Sequence, residues 1–186
     1  TFKIIFMGTP QFSVPALIAL HENNYNVCMV VTAPDRPKGR GRKVAPPAVK
    51  VTALDLGYRV LQPASIKTAA FCNEVAQHKP DFVIVIAFGY IVPENVLALP
   101  RRGTINVHAS LLPKYRGPAP IQWAIINGEK ETGVCTQLMK KEIDTGDILL
   151  SAREPIRSDE TAGDLHDRLS EKSAAVLLDT LRGLAE

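Results

Sequence analysis

DFVIVIAFG, residues 81–89, is the stretch of sequence that decides the fold. Its apolar run is uninterrupted from Phe82 to Phe88, which is typical of a central strand in a parallel sheet that is buried on both faces. A strand with one solvated face would alternate apolar and polar residues instead. The sequence therefore predicts a sheet that is covered by helices on both sides.

Strand and helix patterns alternate along the rest of the chain. Apolar runs rich in β-branched residues predict strands at 2–7, 26–32, 59–61, 104–108, 134–139 and 148–154. Helical spacing and capping residues predict helices at 13–23, 48–56, 68–77, 93–97, 118–126 and 161–184, with Ser13 as an N-cap and Gly57 ending the second helix. This alternation predicts an α/β fold with a mostly parallel sheet, helices on both faces and two neighbouring strands near the C-terminal part that pair with each other.

Length and composition indicate one globular domain. The chain has 186 residues, of which 46% are hydrophobic and 22% charged, and it has no internal repeat. Cys28, Cys72 and Cys135 are odd in number and far apart, so we expect free thiols in a reducing compartment. The longest apolar run is far below the roughly 18 residues of a membrane span. We expect a cytoplasmic monomer with no membrane association.

The positive charge of the chain lies in one segment. Residues 35–43 contain five basic residues and one acid, Asp35, whereas the rest of the sequence carries 17 basic and 18 acidic residues. The five basic residues are Arg36, Lys38, Arg40, Arg42 and Lys43. With two glycines and Pro37, this segment (the basic segment, 36–43) predicts a mobile loop. Because the segment has cations but no aromatic residues, it favours contacts to nucleic-acid phosphates over stacking on bases. A flexible run of charges that contacts only solvent is the ordinary alternative.

The first strand–turn–helix unit does not fit a dinucleotide site. Such a site requires G-x-G-x-x-G, whereas residues 8–13 read GTPQFS, with one glycine and a proline. The sequence also lacks a Walker A motif and an H-E-x-x-H motif. We expect no nucleotide cofactor and no metal.

INVHASLLPKYRG, residues 105–117, carries the best candidates for catalysis. If Asn106 and His108 lie on a strand, their side chains share one face about 7 Å apart. Asp144, in the turn IDTGD at 143–147, offers a carboxylate for the imidazole. An amide donor, an imidazole and a carboxylate are a minimal set for passing an acyl group to an amine. Taken singly, each residue has an ordinary structural explanation, as we expect for His21, His78 and His166.

Several motifs together resemble the methionyl-tRNA formyltransferases, a branch of the folate-dependent formyltransferase family. The resemblance covers essentially the whole chain. It rests on GTPQFSVPAL (8–17), PDRPKGRGRK (34–43), AFGYIVP (87–93), INVHASLLPKYRGPAPIQWAI (105–125), ETGV (131–134) and IDTGDIL (143–149).

The resemblance implies a Rossmann-like catalytic domain over residues 1–186. It implies 10-formyltetrahydrofolate as the formyl donor, the amino group of methionine on initiator tRNA as the acceptor, and Asn106, His108 and Asp144 as the catalytic trio. The implied folate contacts are Phe88, Gly89, Tyr90, Ile91, Val92, Ser110, Leu111, Leu112, Pro113 and Ile143. We further predict that Arg36, Lys38, Arg40, Arg42 and Lys43 hold the acceptor end of tRNA.

The chain departs from the pattern of this branch at two points. The tRNA enzymes normally have a second, C-terminal tRNA-binding domain of β-barrel type, and we expect residues 1–186 not to include it. Cys135 and Gln137 stand where those enzymes more often have threonine and methionine, which is expected to change the packing behind the site and to leave the trio untouched. Three alternatives stay open: formyl transfer to a small amine such as a ribonucleotide or amino sugar, hydrolysis of 10-formyltetrahydrofolate, and an inactive folate- or RNA-binding module.

Overall fold

A computed structural model describes residues 2–38 and 43–185 of the chain. Nine strands and six α-helices alternate along it. The strands are β1 (Lys3–Gly8), β2 (Asn26–Val31), β3 (Arg36–Lys38), β4 (Lys43–Ala45), β5 (Val60–Leu61), β6 (Phe82–Ile86), β7 (Gly103–His108), β8 (Glu131–Leu138) and β9 (Asp147–Pro155). The helices are α1 (Val14–Glu22), α2 (Ala48–Asp55), α3 (Ala69–Gln77), α4 (Glu94–Leu97), α5 (Pro120–Ile126) and α6 (Ala162–Gly183).

Seven strands form one sheet in the order β5-β2-β1-β6-β7-β8-β9. The first five are mutually parallel, whereas β8 and β9 are antiparallel additions next to β7. This confirms the predicted mostly parallel α/β sheet with antiparallel strands near the C-terminal part. The chain moves outward from β1 in one direction through β2 and in the other through β6, so the strand order reverses beside β1. Ligands of open α/β sheets bind at such a point, outside the carboxyl ends of the strands.

Apolar packing covers both faces of the sheet. Every residue of β6 is buried, as its uninterrupted apolar run predicts. One face packs against α1, α2, α5 and α6, and the other packs against α3 and α4. Since both faces are covered by helices, the ends of the strands are the places where the sheet meets solvent.

The turn after β1 is tied to the end of β6. Ser13 Oγ donates to the Ile86 carbonyl at 2.7 Å, and Thr9 Oγ1 donates to the Phe88 carbonyl at 2.8 Å. Ser13 is the N-cap residue of α1, as predicted, but its hydroxyl makes no capping bond to the first turn because it bonds to the neighbouring strand. Gly57 does end α2, in the left-handed conformation that favours glycine (φ +79°).

The basic segment is not the expected loop throughout. Its ends pair as a two-stranded antiparallel sheet in which Arg36 lies opposite Ala45, and the backbone of Lys38 lies opposite that of Lys43. Pro37 fits this arrangement because an edge position does not require its missing N–H. Arg40 and Arg42 lie outside the described residues, as do the side chains of Lys38 and Lys43.

The long C-terminal helix closes the face that carries α1. Thr161 and Asp164 form a capping box at its start, with the Thr161 hydroxyl accepting from the Asp164 N–H at 3.2 Å. Arg168 on this helix bonds to Glu154 and Glu160, while Lys172 bonds to Glu154 at 2.5 Å. This ion-pair cluster joins α6 to β9.

Candidate active site

A cavity of about 560 Å³ opens at the carboxyl ends of β1, β6 and β7. Its size suits a small-molecule substrate, and its position is the one expected from the strand order. The lining comprises Pro10 and Phe12 after β1, residues 87–92 after β6, residues 106–109 of β7 and its end, residues 117–122, Gln137, residues 139–144 and His166. Asn106, His108 and Asp144 all line it, so Asp144 meets two residues of β7 that are distant from it in sequence.

Asp144 is the centre of the hydrogen bonds in this cavity. Its Oδ1 accepts from Asn106 Nδ2 at 3.2 Å and from Gln137 Nε2 at 2.8 Å, and its Oδ2 accepts from the Gly117 N–H at 2.8 Å. The side chain is only 10% exposed. The three donors fix the orientation of this carboxylate. The Asp144 backbone has a φ of +52°, an uncommon conformation outside glycine that aims the side chain back into the cavity.

The surroundings of His108 determine which of its ring nitrogens carries the hydrogen. Nε2 lies 2.8 Å from the carbonyl oxygen of Tyr115, and because a carbonyl can only accept, Nε2 carries the hydrogen. In the neutral ring Nδ1 is then unprotonated, and it faces Asp144 Oδ2 at 3.6 Å. A proton taken up at Nδ1 would lie beside a carboxylate, and the His108 and Asp144 side chains are only 9% and 10% exposed. His108 is therefore arranged to accept a proton at Nδ1.

Asn106 is positioned by the strands on both sides of it. It lies opposite Val85 of β6 and opposite Gln137 of β8, so its side chain emerges between the parallel and the antiparallel part of the sheet. Its amide has two N–H groups. One is directed at Asp144, and the second is available for an oxygen atom in the cavity.

Gln137 is the site residue that the sequence interpretation missed. The substitution at this position was expected to leave the trio untouched, and that expectation is wrong, because Gln137 donates directly to Asp144. Its Oε1 also accepts from the Gly146 N–H at 3.1 Å. Gln137 is 1% exposed. The available signal was an amide side chain inside the predicted strand 134–139. Cys135, the other substituted position, is buried and contacts Ser151 at 3.1 Å, which is the packing role expected for it.

A hydrogen-bonded brace holds the loop that supports His108. Tyr115, whose carbonyl accepts from His108, has a φ of +55°, and its hydroxyl donates to Glu129 at 2.8 Å. Asn127 and Lys114 complete the brace, with Asn127 Nδ2 at 3.0 Å from the Tyr115 hydroxyl and Lys114 Nζ at 3.0 Å from Glu129. Hydrogen bonds from Tyr115 and Lys114 hold the pKa of Glu129 below its usual range, so this partner is ionised near neutrality.

The predicted folate contacts divide into two groups. Phe88, Gly89, Tyr90, Ile91, Val92 and Ile143 line the cavity. Ser110, Leu111, Leu112 and Pro113 do not. Ser110 is fully buried and donates to the Lys114 carbonyl at 2.6 Å, and Leu111 lines a separate cavity of about 310 Å³ with Lys114 and Glu129. The SLLP segment therefore shapes the loop behind His108, and direct folate contact by it stays a prediction.

Two further residues connect the cavity to its surroundings. Arg36 at the base of the basic segment lies 3.4 Å from the Tyr90 hydroxyl, so the segment begins at the rim of the cavity. His166, expected to be structural, packs edge-on against Phe12 at 5.2 Å between ring centroids and also lines the cavity. Within 2–38 and 43–185, no group of three or more acidic, histidine or cysteine side chains is arranged to hold a metal ion. The helices in those ranges include none long and apolar enough to span a membrane.

The comparisons with known proteins agree on one family. The family model described as "Formyl transferase" matches residues 2–181. The chain is 54% identical over 185 residues to the methionyl-tRNA formyltransferase of Caldanaerobacter subterraneus subsp. tengcongensis, covering 99% of this chain and 60% of that protein. It is also 54% identical to the methionyl-tRNA formyltransferase of Ruminiclostridium cellulolyticum, covering 96% of this chain and 57% of that protein. The chain thus spans less than two thirds of the length of these relatives.

Solved structures share the fold at low sequence identity. A phosphoribosylglycinamide formyltransferase from Streptococcus pneumoniae TIGR4 superposes with a TM-score of 0.82 at 20% identity, over 100% of both chains. A sugar 3N-formyl transferase, WlaRD, superposes with a TM-score of 0.70 at 23% identity, over 97% of this chain and 62% of the other. The backbone fold is therefore shared with these structures over essentially the whole chain.

Proposed function

This chain belongs to the formyl transferase family, and from that premise we propose that it transfers a formyl group from 10-formyltetrahydrofolate to the amino group of methionine on initiator tRNA. The observation that carries the proposal is the convergence of Asn106, His108 and Asp144 on one cavity. Binding alone does not require an amide donor, an unprotonated imidazole nitrogen and a buried carboxylate together. This favours an enzyme over an inactive binding module.

The proposed reaction begins with attack of the amine on the formyl carbon. A carbon–nitrogen bond forms, and the carbonyl electron pair moves to oxygen, which becomes an oxyanion. The free N–H of Asn106 donates to this oxygen. Removing a donor of this kind typically lowers the rate about 10²- to 10³-fold. No acyl-enzyme is needed, because the amine attacks the donor directly.

Proton transfer is assigned to Nδ1 of His108. The attacking nitrogen becomes positively charged, and Nδ1 takes a proton from it while Asp144 stabilises the resulting imidazolium. The same proton then passes to N10 of the folate as the bond between N10 and the formyl carbon breaks. Formyl-amine and tetrahydrofolate are the products, and His108 returns to its neutral form.

The donor is proposed to enter along the segment that follows β6. Phe88 and Tyr90, with ring centroids 5.1 Å apart, and Val92 offer apolar surface to a flat heterocycle beside the trio. Ile143 faces the same cavity from the loop that carries Asp144. Ser110, Leu111, Leu112 and Pro113 remain proposed contacts that would require the loop behind His108 to participate.

The acceptor is tested by supplying the donor with three alternatives. We expect formyl transfer with charged initiator tRNA that exceeds transfer to a small amine, such as a ribonucleotide or an amino sugar, and release of formate with no acceptor. His108→Ala is expected to lower the rate about 10²- to 10⁴-fold. His21→Ala is a matched control, since His21 is exposed and bonds to Tyr58 away from the cavity.

Three results would contradict this proposal. Faster transfer to a small amine than to tRNA would assign the chain to the alternative acceptor, and formate release alone would assign it to hydrolysis. Undiminished turnover by His108→Ala would remove the catalytic assignment in all three cases.

The basic segment is proposed to hold the phosphates near the acceptor end of tRNA. Arg36 supports this because it lies at the rim of the cavity. The double variant Arg40→Ala, Arg42→Ala is expected to weaken tRNA binding and to reduce the slope of log K against log salt by about 1 to 2. Arg182→Ala, which removes an exposed arginine paired with Asp179, serves as control. An unchanged slope in the double variant would exclude phosphate contacts there.

Domain organisation and location are proposed on the same basis. Residues 1–186 are proposed to form the catalytic domain of a methionyl-tRNA formyltransferase, acting as a monomer in the cytoplasm. The thiols fit a reducing compartment: all three are free, and burial raises the pKa of the Cys28 thiol, which makes it less reactive. Cell fractionation would test the cytoplasmic location, and sedimentation would test the monomeric state.

A further inference from the structure

Gln137 makes two hydrogen bonds that link the loop between β8 and β9 to the catalytic carboxylate. Its Nε2 donates to Asp144 Oδ1 at 2.8 Å, and its Oε1 accepts from the Gly146 N–H at 3.1 Å. Because the Gly146 N–H can only donate and the carboxylate can only accept, the orientation of the amide is fixed. A methionine or leucine of similar size would make neither bond.

The partners of Asp144 explain why this orientation matters. Oδ1 has two donors, Gln137 at 2.8 Å and Asn106 at the longer distance of 3.2 Å. Asn106 is also the proposed donor to the oxyanion. As charge develops on the formyl oxygen, Asn106 gains from turning toward it, but leaving a buried carboxylate oxygen unpaired would cost free energy. Gln137 keeps that oxygen paired.

We propose that Gln137 is a positioning residue that holds Asp144 in place and so releases Asn106 to serve the transition state. This inference rests on the proposed function, because it assigns Asn106 to the oxyanion. Gln137 itself touches no reacting atom in this scheme. It acts through Asp144, whose carboxylate must face His108 Nδ1 during the proton transfer.

The scheme predicts a separation between kcat and KM. Gln137→Met preserves the side-chain volume and removes both hydrogen bonds. We expect kcat to fall about 10- to 100-fold, since small displacements of catalytic groups have effects of this size. The KM for the folate is expected to stay within about twofold, because the apolar surface beside the trio is unchanged. Lost interactions that exist only in the transition state lower kcat and leave KM unaffected.

Gln137→Glu gives a signature that a loss of folding does not produce. The carboxylate of the new side chain has no donor for Asp144 and repels it, whereas the protonated carboxyl donates as the amide does. Two carboxylates in contact take up a shared proton at a higher pH than an isolated carboxyl. The ratio of Gln137→Glu activity to wild-type activity is therefore expected to rise as the pH is lowered from 8 to 6. The same ratio for Gln137→Met is expected to be flat.

Thr136→Val is the matched control. Thr136 is the preceding residue of β8, is fully buried, and bonds to Leu150 and to Thr180 on α6, away from Asp144. The Thr136→Val variant should lower the midpoint of thermal unfolding, as the loss of any buried hydrogen bond does. It should leave kcat and the pH dependence of the activity unchanged. If Gln137→Met fails to fold, the pH dependence of the Gln137→Glu ratio decides alone.

The outcomes separate this inference from the proposed function. If the wild-type chain transfers formyl groups and Gln137→Met keeps its kcat within about twofold, Gln137 is not a positioning residue and the proposed function stands. A flat ratio for Gln137→Glu would overturn the inference in the same way. If the wild-type chain transfers no formyl group to tRNA or to a small amine, the proposed function fails first.

Discussion

Gly146→Ala is the substitution for which the structure gives the clearest magnitude. A Cβ added at Gly146 would lie 1.8 Å from the carbonyl oxygen and 2.7 Å from the carbonyl carbon of Leu138, and Cβ contacts are essentially never shorter than 3.0 Å. The obstacle is backbone in β8, so the loop must move by at least the difference of about 1.2 Å. Asp144 lies two residues before Gly146 and would move with it.

Both activity and stability should respond to this displacement. A misplacement of about 1 Å costs roughly 10²-fold in rate, so we expect kcat to fall about 100-fold. The bond from Gly146 to Gln137 is lost as well. Overpacking of this type lowers the free energy of unfolding by about 1 to 3 kcal/mol. Single-turnover formyl transfer and urea unfolding would measure the two effects on one preparation.

Gly163→Ala is the control for adding the same methyl group elsewhere. The nearest atom to its added Cβ is Thr161 Oγ1 at 3.6 Å, an ordinary contact, and the residue lies in the first turn of α6. Alanine there should leave kcat unchanged and raise the free energy of unfolding by at most about 1 kcal/mol. If Gly146→Ala keeps more than about half of the wild-type kcat, the loop tolerates the displacement and Asp144 does not require the described position.

Three further substitutions test other parts of the structure. Tyr115→Phe removes the hydroxyl of the brace and should lower kcat several-fold, with a loss of about 1 kcal/mol in the free energy of unfolding; unchanged kinetics would show that the loop holds the catalytic imidazole without it. Thr161→Ala removes the N-cap of α6 and should cost about 1 kcal/mol, measured by the urea midpoint. Arg168→Met should cost about 1 to 3 kcal/mol, because it leaves the Glu160 carboxylate without its partner, whereas Glu154 keeps Lys172. Burial raises the pKa of Glu154, but hydrogen bonds from Lys172 and Arg168 outweigh burial and leave the pKa below its usual 4.5. The stability that these bonds to Glu154 contribute is therefore present above pH 4.5 and is lost as the pH falls further. Urea unfolding measured from about pH 6 to about pH 3 would reveal the loss, and a urea midpoint that did not fall would contradict it.

The fold was largely predictable from the sequence because it depends on local patterns. The uninterrupted apolar run of β6 predicted a strand covered on both faces, and the structure has it at the centre of the sheet. The spacing of Asn106 and His108 predicted side chains on one face, because alternation along a strand is a property of the backbone itself. Helix ends with a strong signal, such as Gly57, were predicted for the same reason.

Features that depend on pairing between distant segments were not predictable in this way. Gln137 acts on Asp144 because β8 places it opposite Asn106, and the register of an antiparallel pair is not encoded in either strand alone. Ser13 was expected to cap α1, but the Ile86 carbonyl at the end of β6 competes for its hydroxyl. The approach of Asp144 to the other two residues was a hypothesis from the residues that depended on the family resemblance for support, since a carboxylate in a turn has many ordinary roles.

The bond between His108 Nε2 and the Tyr115 carbonyl has a consequence for the range of substrates this fold admits. With one ring nitrogen bonded to the backbone, only Nδ1 can take up a proton, so in the proposed reaction the imidazole accepts and returns that proton at Nδ1 without rotating. The incoming and the departing nitrogen therefore take turns at one atom, which is feasible because both are attached to the same tetrahedral carbon. In that proposed reaction only this carbon and its immediate substituents are constrained, so the proton transfer by itself sets no limit on the size of the remainder of the acceptor.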